Sequence, residues 1–221
     1  MRRLVLFFQC GMTVLAAGAA LSGCVVAVGG AALGGAGAAV VATDRRSVGI
    51  QVEDTEIEHR INSALEKRFA RQSVRIDVTS YNQKVLLAGQ VPTEQDRSDA
   101  EAIAASSQNV RQVVNELTIG SLSGLSSHTA DLALAGKVGG ALLNASGLPA
   151  GSVKISCTDS AIYLFGRVSE KEADIASHAA ARVSGVKKVV ILFELLPSAE
   201  VAQMPHDAQP SAPASPPAET H

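Results

Sequence analysis

The sequence predicts an α+β protein: two tandem αββαβ modules, each a three-stranded mixed sheet with two helices, between a lipidated N-terminal tether and a disordered C-terminal tail. Three observations carry this expectation. The middle of the chain repeats itself, each copy runs through helical and strand periodicity in the same order, and both ends have compositions unsuited to a packed core.

The repeat is read from three matches in one order. Val74-Arg75-Ile76-Asp77-Val78 matches Val153-Lys154-Ile155-Ser156-Cys157. Val85-Leu86-Leu87-Ala88-Gly89-Gln90-Val91 matches Ile162-Tyr163-Leu164-Phe165-Gly166-Arg167-Val168. Asn109-Val110-Arg111-Gln112-Val113-Val114 matches Gly185-Val186-Lys187-Lys188-Val189-Val190. The offsets are 79, 77 and 76 residues, so the second copy is expected to have tighter turns. Gly120 to Ser127, rich in Gly and Ser, links the copies.

Each element has a local reason. In the first copy Ile57, Ile61, Ala64 and Leu65 recur at helical spacing. Arg75 to Thr79 and Lys84 to Val91 alternate or run apolar, with Tyr81-Asn82-Gln83 as the turn between them. Thr93 opens a second helix, with Asp96 in its first turn and Ala100, Ile103 and Ala104 on its buried side. Val110 to Ile119 closes the sheet. The second copy repeats this order, and Ser169 with Glu172 forms a better capping box. Its second helix carries Ala176, Ala179, Ala180 and Val183. Gly89 and Gly166 each interrupt a strand pattern, where glycine marks a bulge or a close backbone approach.

The N-terminus begins Met1-Arg2-Arg3, continues apolar from Leu4, and leaves through Leu21-Ser22-Gly23-Cys24. This is the pattern of a secretory signal. The alternative for Leu4 to Leu21 is a transmembrane helix, but Gln9, Gly11, Thr13 and Gly18 interrupt it and no basic cluster directly follows. The exit resembles a bacterial lipobox, which implies cleavage before Cys24 and acylation of that residue. Val25 stands where aspartate retains such lipoproteins at the inner membrane, so outer-membrane attachment with a periplasmic body is expected. Residues 25–42 are Gly, Ala, Val and one Leu. Gly30 and Gly34 form a GxxxG pair, and the stretch reads either as a helix-packing segment or as a flexible apolar tether. Arg45 and Arg46 then read as lipid-phosphate contacts or as solvated linker charges. From Pro197 the chain holds six of its eight prolines and is expected to stay disordered. The expected divisions are signal 1–23, tether 24–51, first module 52–120, linker 121–127, second module 128–196 and tail 197–221.

Composition excludes several functions. The formal net charge is −2, and loss of Arg2 and Arg3 with the signal makes it −4, which suits no nucleic-acid partner. The chain has no Trp and few aromatics for stacking on bases or sugars. With Cys10 removed and Cys24 acylated, Cys157 is the one free thiol and is expected to be a buried structural residue. The five histidines are scattered, with no HExxH or two-cysteine zinc spacing, no GxSxG and no P-loop. No catalytic residue, metal or cofactor is therefore expected. Glu56, Glu58 and Glu66 read as a solvated helix face, and Lys187 and Lys188 as soluble turn residues or phosphate contacts.

One contrast between the copies points to a contact surface. The first helix of the first copy carries Glu56, Glu58, Arg60, Asn62, Ser63, Glu66 and Lys67 opposite its core stripe. In the second copy Leu134, Val138, Ala141 and Leu142 take the core stripe, yet Leu132, Gly139 and Leu143 point away from it at about 100° per residue. Lys137 is the only charge between Asp131 and Lys154. A helix apolar all round is buried or meets lipid. The candidate contact residues are thus Leu132, Lys137, Gly139 and Leu143, facing either a membrane or the first module.

Val85 to Val91, Ile162 to Val168 and Ser184-Gly185-Val186-Lys187-Lys188-Val189 resemble the BON domain, an αββαβ module of bacterial envelope proteins. Asp44-Arg45-Arg46-Ser47-Val48-Gly49-Ile50-Gln51 resembles the stretch before the first module in dual-BON lipoproteins. That resemblance, over roughly residues 1–196, implies an outer-membrane lipoprotein that binds anionic phospholipid headgroups, supports envelope integrity and performs no catalysis. It implies lipid contact through the first helix of the second module, where Ala133 replaces a bulky aromatic. A protein-interaction module acting as an accessory to outer-membrane protein assembly is the alternative.

Overall fold

A computed structural model describes residues 44–69, 74–120 and 125–204. The signal, Cys24, residues 25–43 of the tether, residues 121–124 of the linker and the tail beyond 204 lie outside the described residues.

The first module runs α1 (Val48–Arg68), β1 (Arg75–Tyr81), β2 (Lys84–Val91), α2 (Glu94–Ala105) and β3 (Gln112–Ile119). The second runs α3 (Leu125–Leu143), β4 (Lys154–Thr158), β5 (Ala161–Phe165), β6 (Arg167–Val168), α4 (Glu170–Ala181), β7 (Lys188–Ile191) and β8 (Glu194–Leu195), followed by α5 (Ser198–Gln203). The protein is α+β. In each module a hairpin pairs antiparallel and a crossover helix brings in a parallel third strand, in the orders β1-β2-β3 and β4-β5-β7. Beyond Gly166 the second sheet continues as the short parallel pair β6-β8.

Caps set the helix starts. Thr93 accepts from the Asp96 backbone N–H, and Ser169 with Glu172 completes a capping box. The hairpins turn at Asn82-Gln83 and Asp159-Ser160, all four residues at φ of 52–66°, the signature of a type I′ turn.

Each module folds around its own core on the helix side of its sheet. Ile57, Ile61, Leu65, Val85, Leu87, Val91, Ala100 and Ala104 build the first. Leu134, Val138, Leu142, Ile162, Leu164, Ala176 and Ala180 build the second. The opposite sheet faces are buried too. Tyr81, Leu86 and Ala88 of one sheet meet Tyr163 and Phe165 of the other, with Val114, Val190 and Leu192 at the margin. The two modules therefore stack sheet to sheet, with helices on both outer surfaces. Thr79 and Ser156, equivalent positions of the two copies, touch across this contact at 3.3 Å, so an approximate twofold relates the modules.

The structure corrects three expectations and closes one alternative. α1 begins at Val48, inside the expected 24–51 tether, because Ser47 caps it while Val48 and Val52 stay exposed and carry no core periodicity. Residues 198–203 form α5, with Val201 buried, where a structureless tail was expected from 197. Strands β1 and β4 are equivalent at an offset of 77, because Ser80 pairs with Val85 as Cys157 pairs with Ile162. The expected offset of 79 slips the strand by two residues, which leaves every side chain on the same face. Finally, the modules meet through sheets and not through the outer face of α3.

Candidate functional site

Helix α3 lies over the edge strand β4 and beside α4. Leu134, Val138 and Leu142 point inward and are buried. Leu132 and Leu143 point outward and are 62% and 61% exposed. They stand 11 residues apart, hence about 20° apart around the axis and roughly 16 Å along it. Gly139 is half-buried on the flank toward β4, where an added Cβ would sit 3.7 Å from Ile155 Cδ1. It belongs to the edge of this strip and not to its crest. A shallow cleft beside Leu143 runs between Gly139 and the Leu148–Gly151 loop. Lys137 is exposed about 120° around the helix from Leu143, so the structure does not bring it beside the two leucines.

The matching helix of the first module is dressed differently. Glu56 and Glu66 are exposed as expected for a solvated face. Glu58 is not: it accepts from the Ser80 backbone N–H at 2.7 Å and from Lys154 Nζ at 3.0 Å, reaching into the other module. Arg68 and Asp99 bridge α1 to α2. Their equivalents in the second module, Ala145 and Ile175, instead line an open groove between α3 and α4, together with Ala141, Ala179 and Arg182.

The stretch between tether and α1 is built into the body. Arg45 makes a two-pronged ion pair with Glu172 at 2.7 and 2.8 Å and donates to the Arg167 carbonyl at 2.8 Å. Arg46 binds Asp44 and Asp54 and lies 4.0 Å over the Tyr81 ring. The two arginines are structural ions, Arg45 buried and Arg46 partly so, neither lipid contacts nor solvated linker charges. Burial pushes Glu172 up, but the Arg45 hydrogen bonds, the Ser169 N–H and the Arg45 charge outweigh it and hold the carboxyl below its usual range. Burial and the nearby Asp44 charge push the Tyr81 hydroxyl up to about 12, so it stays neutral.

Residue-by-residue reading misses two aspartates. Asp54 accepts from Ser80 Oγ at 2.7 Å, the Asn82 N–H at 2.7 Å and the Gln83 N–H at 2.8 Å. Asp131 does the same for the Asp159 and Ser160 N–H groups at 2.9 and 2.8 Å. Each first helix thus pins its own hairpin turn. The signal for them is the repeat itself, since both stand at one offset from their turns. Asp131 also receives the Cys157 thiol. Burial first, then the Asp131 charge, pushes that thiol up to about 12, so it is inert near neutrality.

The two glycines mark close approaches. Gly89 has φ of +126°, and a side chain there would strike the Arg75 carbonyl. A Cβ at Gly166 would sit 2.7 Å from the Ser152 carbonyl oxygen. Lys188 pairs with Glu116 at 2.6 Å across the modules, while Lys187 is exposed. Among the described residues no cluster of His, Cys, Asp or Glu could hold a metal, and no helix is long and apolar enough to cross a membrane.

Two αββαβ modules with these strand orders define the class, and the model of the BON domain matches residues 53–121 and 130–197. The chain belongs to the BON-domain family, as a dual-BON protein of the DolP type. It is 36% identical over 177 residues to outer membrane lipoprotein DolP of Haemophilus influenzae, covering 80% of this chain and 90% of that one. It is 34% identical over 148 residues to a 21 kDa hemolysin of Actinobacillus pleuropneumoniae, covering 66% and 76%. It is 28% identical over 155 residues to osmotically-inducible protein Y of Escherichia coli, covering 67% and 76%. A solved structural protein of the Chlamydia trachomatis type III secretion system, CdsD, aligns with 66% of this chain and 95% of its own at 15% identity and a TM-score of 0.28, too low to bear on the fold.

Proposed function

We propose that the protein is a non-enzymatic lipoprotein, held through Cys24 at the periplasmic face of the outer membrane, that binds phospholipid and supports the membrane barrier. The kinship with an outer membrane lipoprotein supports the location. The observation that carries lipid contact is the pair Leu132 and Leu143, each more than half exposed on the outer side of one helix, with Gly136, Gly139 and Gly140 between them in sequence. Burying the exposed part of both in hydrocarbon contributes roughly 2–4 kcal/mol. Alone that is weak. Beside a permanent anchor it suffices, because the second contact becomes intramolecular. With the two leucines turned into the bilayer, Lys137 sits on the flank of the helix at headgroup height, where a phosphate contact adds about 1 kcal/mol and favours anionic lipid.

The test is co-sedimentation of residues 44–221, free of the anchor, with anionic and with zwitterionic vesicles. The expected result is binding that prefers anionic vesicles and that Leu132→Glu/Leu143→Glu abolishes. Equal binding by both proteins sinks the helix-face reading. A second reading, an accessory to outer-membrane protein assembly, draws on the α3–α4 groove, open where the first module is bridged by Arg68 and Asp99. Photocrosslinking in cells separates the two, by capture of lipid from position 132 or of an assembly protein from position 182 in the groove.

A further inference from the structure

The surface between the modules is paired by charge and by size, not merely apolar. Lys154 of the second module reaches Glu58 of the first at 3.0 Å, and Lys188 reaches Glu116 at 2.6 Å. Arg75 of the first module lies 3.5 Å from Asp131 and 3.4 Å from Asp159 of the second. Between these pairs, Phe165 of the second module is fully buried within the shared apolar cluster that also holds Ala88 of the first. The approximate twofold says what each surface would meet in a copy of itself.

Position by position, Asp77 of the first module corresponds to Lys154 of the second, Glu58 to Ala135, Arg75 to Ser152, Ala88 to Phe165, and Glu116 to Leu192. In a pair of two first modules, Asp77 would therefore face Glu58, acid against acid, and Ala88 would leave the volume of the Phe165 ring empty. In a pair of two second modules, Lys154 would face Ala135 and Lys188 would face Leu192. Ser152 would replace the cation over Asp131 and Asp159, and two Phe165 rings would compete for one space. Two first modules would keep an aspartate, Asp54, under Arg75, but both like pairs lose the Lys154–Glu58 and Lys188–Glu116 ion pairs and the fit of Phe165 against Ala88, so the complementarity is directional.

We infer that the sheet face of the first module is a recognition surface for the second module of this chain, whether that module comes from the same copy or another. The partner it fits is a second copy of this protein, joined by reciprocal exchange of modules. Such a dimer repeats the existing contact twice and needs no new surface. Within one copy the short linker favours the closed monomer. Crowding of anchored copies in one membrane plane raises the competing concentration.

Two variants of the chain, both lacking the signal and carrying Cys24→Ser, test this. One carries Glu58→Lys/Glu116→Lys and the other Lys154→Glu/Lys188→Glu. Alone, each sets like charges against each other in cis. Mixed, they repair both contacts by exchanging modules. The expected result, after unfolding together and refolding, is a complex of one copy of each with twice the monomer mass in native mass spectrometry, absent from either variant alone. Where a variant alone does not fold, recovery of its far-ultraviolet circular dichroism on mixing reads the same exchange. A mixture that yields only the species of the separate variants overturns the inference. A single chain carrying all four substitutions should be more stable than the Glu58→Lys/Glu116→Lys variant, which lacks the same acceptor for the Ser80 N–H. No gain over that variant overturns the assignment of the charge pairs.

Discussion

Asp54 shows how one buried charge organises a module. It is 2% exposed, yet Ser80 Oγ, two turn N–H groups and the Arg46 guanidinium satisfy it. Removing it would strand both turn donors and leave Arg46 with Asp44 alone. We expect Asp54→Ala to lower unfolding stability by about 3–5 kcal/mol, the range for breaking a buried pair from one side. A urea midpoint checks it, and a loss below about 1 kcal/mol would mean water serves these groups as well. Glu172 adds a pH dependence. Its folded-state carboxyl lies below the ordinary 4.5, so the native state binds fewer protons than the unfolded one there. That contribution is full above 4.5 and drains as pH falls through the lower folded value. Melting temperature should therefore fall on acidification below about 4.5, and Glu172→Gln should flatten that limb while lowering the plateau.

At the scale of elements, α3 is an unusual helix because it carries Gly136, Gly139 and Gly140 in its interior. A Cβ on Gly136 meets nothing within 4 Å. Gly136→Ala should raise stability by about 1 kcal/mol, the ordinary glycine penalty in a helix. Gly89→Ala should do the reverse by at least about 2 kcal/mol, since φ of +126° and the Arg75 carbonyl both oppose a side chain. Chemical denaturation of the two variants separates a glycine that fills a geometric need from one that does not. The element order was legible because apolar residues keep time at 3.6 or 2. The outward turn of Leu132 and Leu143 was legible for the same reason. Arg45 was not, since its partner Glu172 is 127 residues away and no local pattern connects them. The sheet-to-sheet contact has a signal in the sequence that periodicity alone assigns only to strand. Val85 to Ala88 and Ile162 to Phe165 are unbroken apolar runs, and such runs belong to strands buried on both faces.

The whole molecule is two cores joined by a third. Each module keeps a complete sheet and helix-side core, so neither is half of a fold. Phe165 belongs to the shared layer, fully buried with its ring 6.1 Å from that of Tyr81. Arg45 reinforces the joint, because it ties the segment that leads into α1 to Glu172 at the start of α4. A pull on the tether therefore loads both modules at once. We expect the intact protein to melt in one calorimetric transition and Phe165→Ala to cost about 3–5 kcal/mol. The more telling outcome is the shape of the curve. Removing the ring empties the shared layer without touching either helix-side core, so the single transition should divide into two. Val138→Ala, in the second core, should cost stability without dividing it. If Phe165→Ala still melts in one step, the hydrogen-bonded rim and Arg45 hold the modules together without the apolar layer. In either case the outward strip on α3 depends on this joint, because the sheets occupy each other and leave the helices to face whatever lies outside.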